Sequence, residues 1–340
     1  MKKIIITGGT GYIGSHTAVE LIQSGFEVVI IDNLSNSQIG VLNGIKKITG
    51  IKPEFHKINL ADVNETKKVF NKIKNIDGII HFAAYKAVGE SVAFPLKYYK
   101  NNLNSLINIL ENMNSRLIDN LIFSSSCTVY GQPDHLPVTE KSPVIKADSP
   151  YGNTKQISEE IINDTINSSE NINAISLRYF NPIGAHKSAE IGELPIGIPN
   201  NLVPFITQTA AGIRNQLSIF GDDYNTPDGT AIRDYIHVID LAKAHIVALS
   251  RLLNKQNKTK SEVFNIGTGK GNSVLEVVKT FEKVTGIKLN YKIVKRRSGD
   301  IEKIWADTSY AEKELPWKTE KSLGDALLSA WNREKKYRGI

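Results

Sequence analysis

Tyr151 and Lys155 stand four residues apart in Ser149-Pro150-Tyr151-Gly152-Asn153-Thr154-Lys155. Ser149 suits a helix N-cap and Pro150 the first helical position. The spacing therefore predicts a helix start that carries the phenol and the ammonium one turn apart on one face. Upstream, Leu121-Ile122-Phe123 runs into Ser124-Ser125-Ser126. A phenol, a cation and a hydroxyl in one crevice suit removal of an alcohol proton while the carbon gives up a hydride. Free tyrosine has a pKa of about 10, and bringing it to about 7 takes about 4 kcal/mol at 1.36 kcal/mol per unit. One cation roughly 5 Å away in an effective dielectric near 20 supplies about 3 kcal/mol. Lys155 alone falls short, and a second positive charge is needed. Y-x-x-x-K also arises as a plain surface helix pair, so the pattern needs company.

The company is near the start of the chain. Thr7-Gly8-Gly9-Thr10-Gly11-Tyr12-Ile13-Gly14 fits G-x-G-x-x-G from Gly9 and G-x-x-G-x-x-G from Gly8. In either register the glycines permit a tight strand-to-helix turn and close approach to a pyrophosphate, with free N–H groups at the helix start. Asp32 follows at the end of the second apolar run. An acid there accepts from the adenosine ribose hydroxyls and repels a 2′-phosphate. The two signals together predict a bound NAD rather than NADP. The ring of NAD⁺ is the second positive charge that Tyr151 requires.

These residues must be placed by a sheet. Continuous apolar runs recur at Lys3–Ile6, Val28–Ile31, Ile79–Phe82, Leu121–Phe123 and Ala174–Leu177. Unbroken rather than alternating runs read as strands buried on both faces of a parallel sheet. Helical patterns lie between them, as at Ser15–Ser24 and Pro95–Met113. Strand–helix alternation predicts a doubly wound parallel (Rossmann-type) α/β sheet with a smaller C-terminal α/β substrate domain. Near residue 180 prolines begin to punctuate a loop-rich stretch. We place an NAD-binding domain over 1–180 and a substrate domain over 181–340, with some segments crossing between them. The later part predicts a helix at Leu241–Leu253, a polar loop at Asn254–Lys260 and a strand at Val263–Ile266. A capped helix is expected to open at Ser273-Val274-Leu275-Glu276.

The chain has 340 residues and a net charge of +7, from 42 Lys and Arg against 35 Asp and Glu. The basic residues are scattered and form no stripe, so nucleic-acid binding is not expected, whereas a small anionic ligand is. No apolar run approaches the roughly 20 residues that span a bilayer. The single Cys127 permits no intrachain disulfide, which fits a reducing, cytoplasmic setting. The seven histidines show no metal-ligand spacing, and no metal is expected. Glu159-Glu160 and Asp222-Asp223 read as solvated acids, and Asn332–Lys336 as a solvated tail.

The motifs resemble those of the extended short-chain dehydrogenase/reductases and, within them, the family of UDP-galactose/UDP-glucose 4-epimerases. The matching segments run in order along almost the whole chain: Gly8–His16, Asp32–Leu34, Lys86–Ser91, Phe123–Ser126, Ser149–Gly152, Leu177–Pro182, Gly197–Leu202, Gly229–Val238 and Trp305–Asp307.

The resemblance implies a tightly held NAD⁺ that takes and returns the C4 hydride of a UDP-sugar, while the flat 4-ketose turns over between the two transfers. Tyr151 is then the base, Ser126 orients the sugar hydroxyl, and Lys155 holds the nicotinamide ribose. It also implies cofactor contacts at Gly8, Gly11, Tyr12, Ile13, Gly14, Asp32, Asn33, Asn36, Ser37, Asn59, Leu60, Phe82, Ala83, Ala84, Lys86, Asn101, Ser124 and Phe180. UDP-sugar contacts are implied at Ser126, Asn181, Asn200, Asn201, Leu202, Ile219, Phe220, Arg233, Arg297, Asp300 and Ile304, with Lys86 and Tyr151 shared between the two ligands. Arg233 and Arg297 suit a diphosphate, because a guanidinium fork grips its oxygens bidentately; surface salt bridging is the plain alternative. A homodimer is implied as well.

The chain departs from the family pattern in places. Asn59 stands where an acid is usual, and its amide oxygen still accepts from an adenine amino group. Ile304 stands where family members carry Tyr or a smaller residue such as Cys, at a position that controls room for a 2-acetamido group. Ser126-Cys127-Thr128 lacks the Asp-Glu pair of sugar-nucleotide 4,6-dehydratases, which argues against elimination. UDP-glucuronate decarboxylase ranks behind these, and a silent NAD-sensing scaffold last.

Overall fold

The computed structural model describes residues 1–297 and 300–340. The first half alternates strands and helices: β1 (Lys3–Thr7), α1 (Tyr12–Gln23), β2 (Glu27–Asp32), α2 (Val41–Thr49), β3 (Glu54–Lys57), α3 (Val63–Lys72) and β4 (Ile76–His81). Then come α4 (Val88–Ala93), α5 (Pro95–Arg116), β5 (Asn120–Ser124), a 3₁₀ turn at Cys127–Tyr130, α6 (Pro150–Ser168) and β6 (Asn173–Tyr179). The second half holds β7 (Asn181–Ile183), α7 (Leu202–Ala210), β8 (Leu217–Phe220), β9 (Ile232–His237), α8 (Val238–Leu253) and β10 (Ser261–Ile266). It ends with β11 (Gly271–Ser273), α9 (Val274–Thr285), β12 (Tyr291–Val294), β13 (Lys303–Ile304), α10 (Ser309–Glu314) and α11 (Leu323–Arg338).

Seven parallel strands form the main sheet in the order β10-β6-β5-β4-β1-β2-β3. That is the doubly wound arrangement the apolar runs predict. The runs are unbroken because both faces are covered. Ile4 and Ile6 of β1 pack with α1 and α8, while Ile5 packs on the other face with Leu106 and Ile109 of α5. Strand order reverses between β1 and β4, and ligands bind outside the carboxyl ends of strands at such a point.

Helix α8 and strand β10 lie beyond residue 180 yet belong to this layer. β10 pairs with β6 over its whole length, from Ser261 opposite Ala174 to Ile266 opposite Tyr179. A second sheet orders β11-β9-β13, with β7 also on β9, and β8 pairs with β12. They share a separate core with α7, α9 and α11. Ser273 and Glu276 form the expected capping box on α9.

Two expectations for solvated acids and tails are corrected. Glu159 is buried against Arg178, because α6 turns that face onto β6. Asn332–Lys336 is no tail; it lies within α11, with Arg333 donating to the Ala189 carbonyl at 2.8 Å and Lys336 paired to Glu190 at 2.8 Å. Among the described residues no helix is long and apolar enough to cross a membrane, and no group of three His, Cys, Asp or Glu side chains could hold a metal ion.

Candidate active site

The turn after β1 is tight enough to require glycine. Gly8 has φ +67°, and a Cβ there would meet the Ala83 backbone nitrogen at 2.9 Å. A Cβ on Gly14 would strike the Gly8 carbonyl, so α1 can start this close to β1 only without a side chain. Gly11 caps α1 with no side-chain acceptor. The helix start thus keeps backbone donors that side chains leave unused. Asp32 closes the loop from the side: its carboxylate accepts from Leu34 N at 2.8 Å, Thr10 N at 3.2 Å and Ser37 Oγ at 3.2 Å. A carboxylate has about four lone-pair sites, so about one is left for an outside hydroxyl. A bare helix start beside a fixed carboxylate fits a dinucleotide with a free ribose hydroxyl.

At the carboxyl end of β5 the structure brings Ser126, Tyr151 and Lys155 together. Ser149 caps α6, its hydroxyl accepting from Gly152 N at 3.2 Å, with Pro150 at the first helical position as the sequence predicts. Tyr151, Lys155 and Ser126 are all buried. Lys155 Nζ donates to the Ser124 carbonyl at 2.6 Å and lies 4.8 Å from the centroid of the Phe123 ring. Burial lowers its pKa to about 8, against the pull of Glu159. Burial raises the Tyr151 phenol above its ordinary value; Tyr179 adds to this, and a hydrogen bond with Ser126 opposes it. In the protein alone burial outweighs the polar neighbours, in keeping with the expectation that Lys155 by itself falls short of bringing the phenol down. Ser124 Oγ is occupied by the Tyr179 hydroxyl at 2.7 Å.

Other implied cofactor positions ring the same crevice. Asn33 makes a local turn, accepting from Ser35 N at 2.9 Å, and Asn36 is exposed beside it. Phe82, Ala83 and Ala84 leave β4 next to the glycine loop. Asn101 Nδ2 donates to Asn102 at 3.0 Å. Tyr12 donates to the Gly184 carbonyl at 2.6 Å, tying α1 to the second half. Ile13 packs on the core face of α1. Asn59 is exposed, and its amide oxygen already accepts from Ala61 N at 3.1 Å. The Leu60 side chain is core; only its backbone can face a ligand. Phe180 is buried in a cluster with Ile304.

The implied UDP positions divide in two. Phe220, Arg233, Arg297 and Asp300 converge. Arg297 holds Asp300 through Nη2–Oδ1 at 2.6 Å and Nε–Oδ2 at 3.2 Å, and lies 5.6 Å from the Phe220 ring centroid. Arg233 Nη2 approaches the same carboxylate at 4.0 Å. The plain salt-bridge reading and the ligand reading therefore fall on the same atoms. Asn181, on β7, pairs opposite Tyr235 of β9, two residues from Arg233; Asn200 is exposed, and Leu202 packs partly into the second core. The side chains of Ile219 and Ile304 are buried in apolar cores, with Ile219 next to Phe220 in β8 and Ile304 of β13 opposite Arg233 of β9.

Sequence reasoning missed Glu193. Its Oε1 accepts from Lys86 Nζ at 3.3 Å and from Asn201 Nδ2 at 2.6 Å, joining an implied cofactor residue to an implied substrate residue. It lies in the proline-punctuated stretch, where no periodicity marks it. It also missed Glu159, which the i+4 spacing from Lys155 could have flagged.

A family model described as GDP-mannose 4,6 dehydratase matches residues 5–328. The chain is 49% identical to the UDP-glucose 4-epimerase of Bacillus subtilis over 96% of this chain and 95% of that one. It is 47% identical to UDP-glucose 4-epimerase uge1 of Schizosaccharomyces pombe, over 98% and 94%. The UDP-glucose 4-epimerase structure from Bifidobacterium longum, in complex with NAD+ and UDP, superposes with a TM-score of 0.95 at 44% identity, covering 99% of both chains. On this likeness over nearly the whole chain, the chain belongs to the UDP-glucose 4-epimerase family of the extended short-chain dehydrogenase/reductases.

Proposed function

We propose that the protein interconverts UDP-galactose and UDP-glucose, with NAD held in the β1–α1 crevice. The observation that carries this is the burial of Ser126, Tyr151 and Lys155 together at the carboxyl end of β5, beside the glycine loop. When bound, NAD⁺ supplies a hydride acceptor that can return what it takes. The chain supplies the rest. Tyr151 Oη takes the proton from the sugar 4-hydroxyl and gives it back. Ser126 Oγ fixes that hydroxyl. Lys155 stabilises the phenolate. Arg233, Arg297 and Phe220 hold the UDP, which lets the 4-keto sugar turn while staying tethered.

The backbone donors of α1 receive the pyrophosphate, and Asp32 takes a ribose hydroxyl, which favours NAD over NADP. Beside Ser126 stand Cys127 and Thr128 rather than an acid pair, which favours epimerisation over elimination. Burial raises the Cys127 thiol to about 12, which makes it a poor nucleophile. The finer reading includes a homodimer in the cytoplasm.

The test is to mix the purified protein with UDP-galactose, adding no NAD, and to follow UDP-glucose. Product is expected, together with NAD released on denaturation. No product from a protein shown to carry NAD would end this reading.

A further inference from the structure

Glu159 lies one helical turn beyond Lys155 on the inner face of α6 and is buried. Arg178 of β6 grips it twice, Nε–Oε1 at 3.0 Å and Nη2–Oε2 at 2.5 Å. Ser125 Oγ donates to the same Oε1 at 2.5 Å. Arg178 continues to the Tyr130 hydroxyl at 3.1 Å, which donates to Asn265 of β10 at 2.7 Å. One carboxylate thus ties together α6, the end of β5, β6 and the 3₁₀ turn.

A buried ion pair is a weak device for stability, because desolvating both partners offsets most of their attraction. Its position suggests a different use. Ser125 follows Ser124, whose carbonyl seats the Lys155 ammonium, and precedes Ser126. The groups around that ammonium are Glu159 and Tyr151 on its own helix, His81 on β4, and Arg178 and Tyr179 on β6, with Tyr98 of α5 beyond Tyr151. Burial, with Lys155 nearby, drives His81 down to about 3, so it is neutral. Both tyrosines of β6 and α5 are raised by burial and stay protonated. Glu159 is the carboxylate whose charge acts on Lys155.

We propose that Glu159 is a positioning residue: its carboxylate keeps the Lys155 ammonium charged and seated on the Ser124 carbonyl, and holds that seat in place through Ser125 and Arg178. This rests on the reading of Tyr151 and Lys155 given above. Losing one charge at i, i+4 range in an effective dielectric near 20 moves the ammonium by about one to two pH units.

The test is the pH profile of kcat for UDP-galactose on the NAD-loaded protein. In Glu159→Gln the alkaline limb should move down by about one to two pH units, so the loss at pH 8.5 exceeds the loss at pH 6.5 by about tenfold or more. Glu159→Asp, which keeps the charge, should return the limb toward that of the wild type. Bound NAD and melting temperature are measured alongside. A Glu159→Gln profile that falls uniformly with pH, or does not change, overturns the proposal. Should Glu159→Gln not fold, Glu159→Met with Arg178→Leu replaces the pair by apolar groups. The limb must move down there too, by less than in Glu159→Gln because the repulsion of Arg178 is removed with the attraction of Glu159, and a wild-type limb overturns the proposal. Full activity in Tyr151→Phe or Lys155→Met would instead overturn the underlying reading. Inactive Tyr151→Phe with an unmoved Glu159→Gln limb overturns the Glu159 role alone.

Discussion

Arg297 holds Asp300 as a two-pronged ion pair, at 2.6 and 3.2 Å, with Arg233 4.0 Å from the same carboxylate. An incoming diphosphate has to compete with that carboxylate for the guanidinium groups. Arg297→Lys keeps the charge and loses the fork. KM for UDP-galactose is expected to rise about tenfold, worth about 1.4 kcal/mol, with kcat little changed. Steady-state kinetics check it; an unaltered KM would remove Arg297 from the UDP site.

Tyr151→Phe deletes the one oxygen that exchanges the sugar proton while leaving the ring in its packed place. Turnover should drop by about 10²–10⁴-fold, the scale typical of acid–base groups. The purified variant should still carry its dinucleotide, read by absorbance after denaturation. Full activity would disqualify the phenol as base.

Asp32→Ala removes the acceptor for a ribose hydroxyl and the charge that repels a 2′-phosphate. The ratio of NAD to NADP affinity should narrow. The same carboxylate accepts from Thr10 N and Leu34 N, so the glycine loop should also loosen and overall affinity fall. Titrations of both dinucleotides decide it; a wild type that binds NADP as tightly as NAD contradicts the role.

His16 and His81 are driven down to about 3, chiefly by burial, with Lys155 contributing at His81. Their pKa values in the unfolded chain lie near 6.5, so the unfolded state binds protons first as pH falls. The stability they allow is complete above about 6.5 and is lost as pH drops toward 3. At pH 5 each should cost about 2 kcal/mol relative to pH 7. Urea midpoints at pH 7 and 5 measure this, and equal midpoints would contradict it.

Ile304 packs with Phe180 and Tyr130 rather than standing open to a ligand. It is smaller than tyrosine, and the sequence leads us to expect slow turnover of UDP-N-acetylgalactosamine beside fast turnover of UDP-galactose. Coupled assays with both sugars test it; none of the former with ample of the latter would end the idea.

Strand positions, the glycine turn and the cap of α6 were legible because each is set by near neighbours in sequence: apolar runs, glycine spacing, Ser149 before Pro150. What could not be read was set by pairing across long separations. Glu159 looks like any helix acid until β6 brings Arg178 beside it, a partner 19 residues away. Glu193 has no local pattern, and only the fold brings Lys86 to it from 107 residues away. Asn332–Lys336 looked like a tail because charge alternation along a half-exposed helix resembles solvated chain. Ile219 and Leu60 have buried side chains, so only their backbones are open to a ligand, a distinction that residue type alone does not make.

The outer edge of the main sheet is supplied by β10, more than eighty residues after β6. During synthesis the outer edge of β6, whose inner edge pairs with β5, therefore waits unpaired while the ribosome, at about 5–20 residues per second, delivers the intervening polypeptide. The nascent first half spends several seconds as an incomplete platform with a sticky border, and a truncation anywhere before Ser261 would leave that border permanently bare.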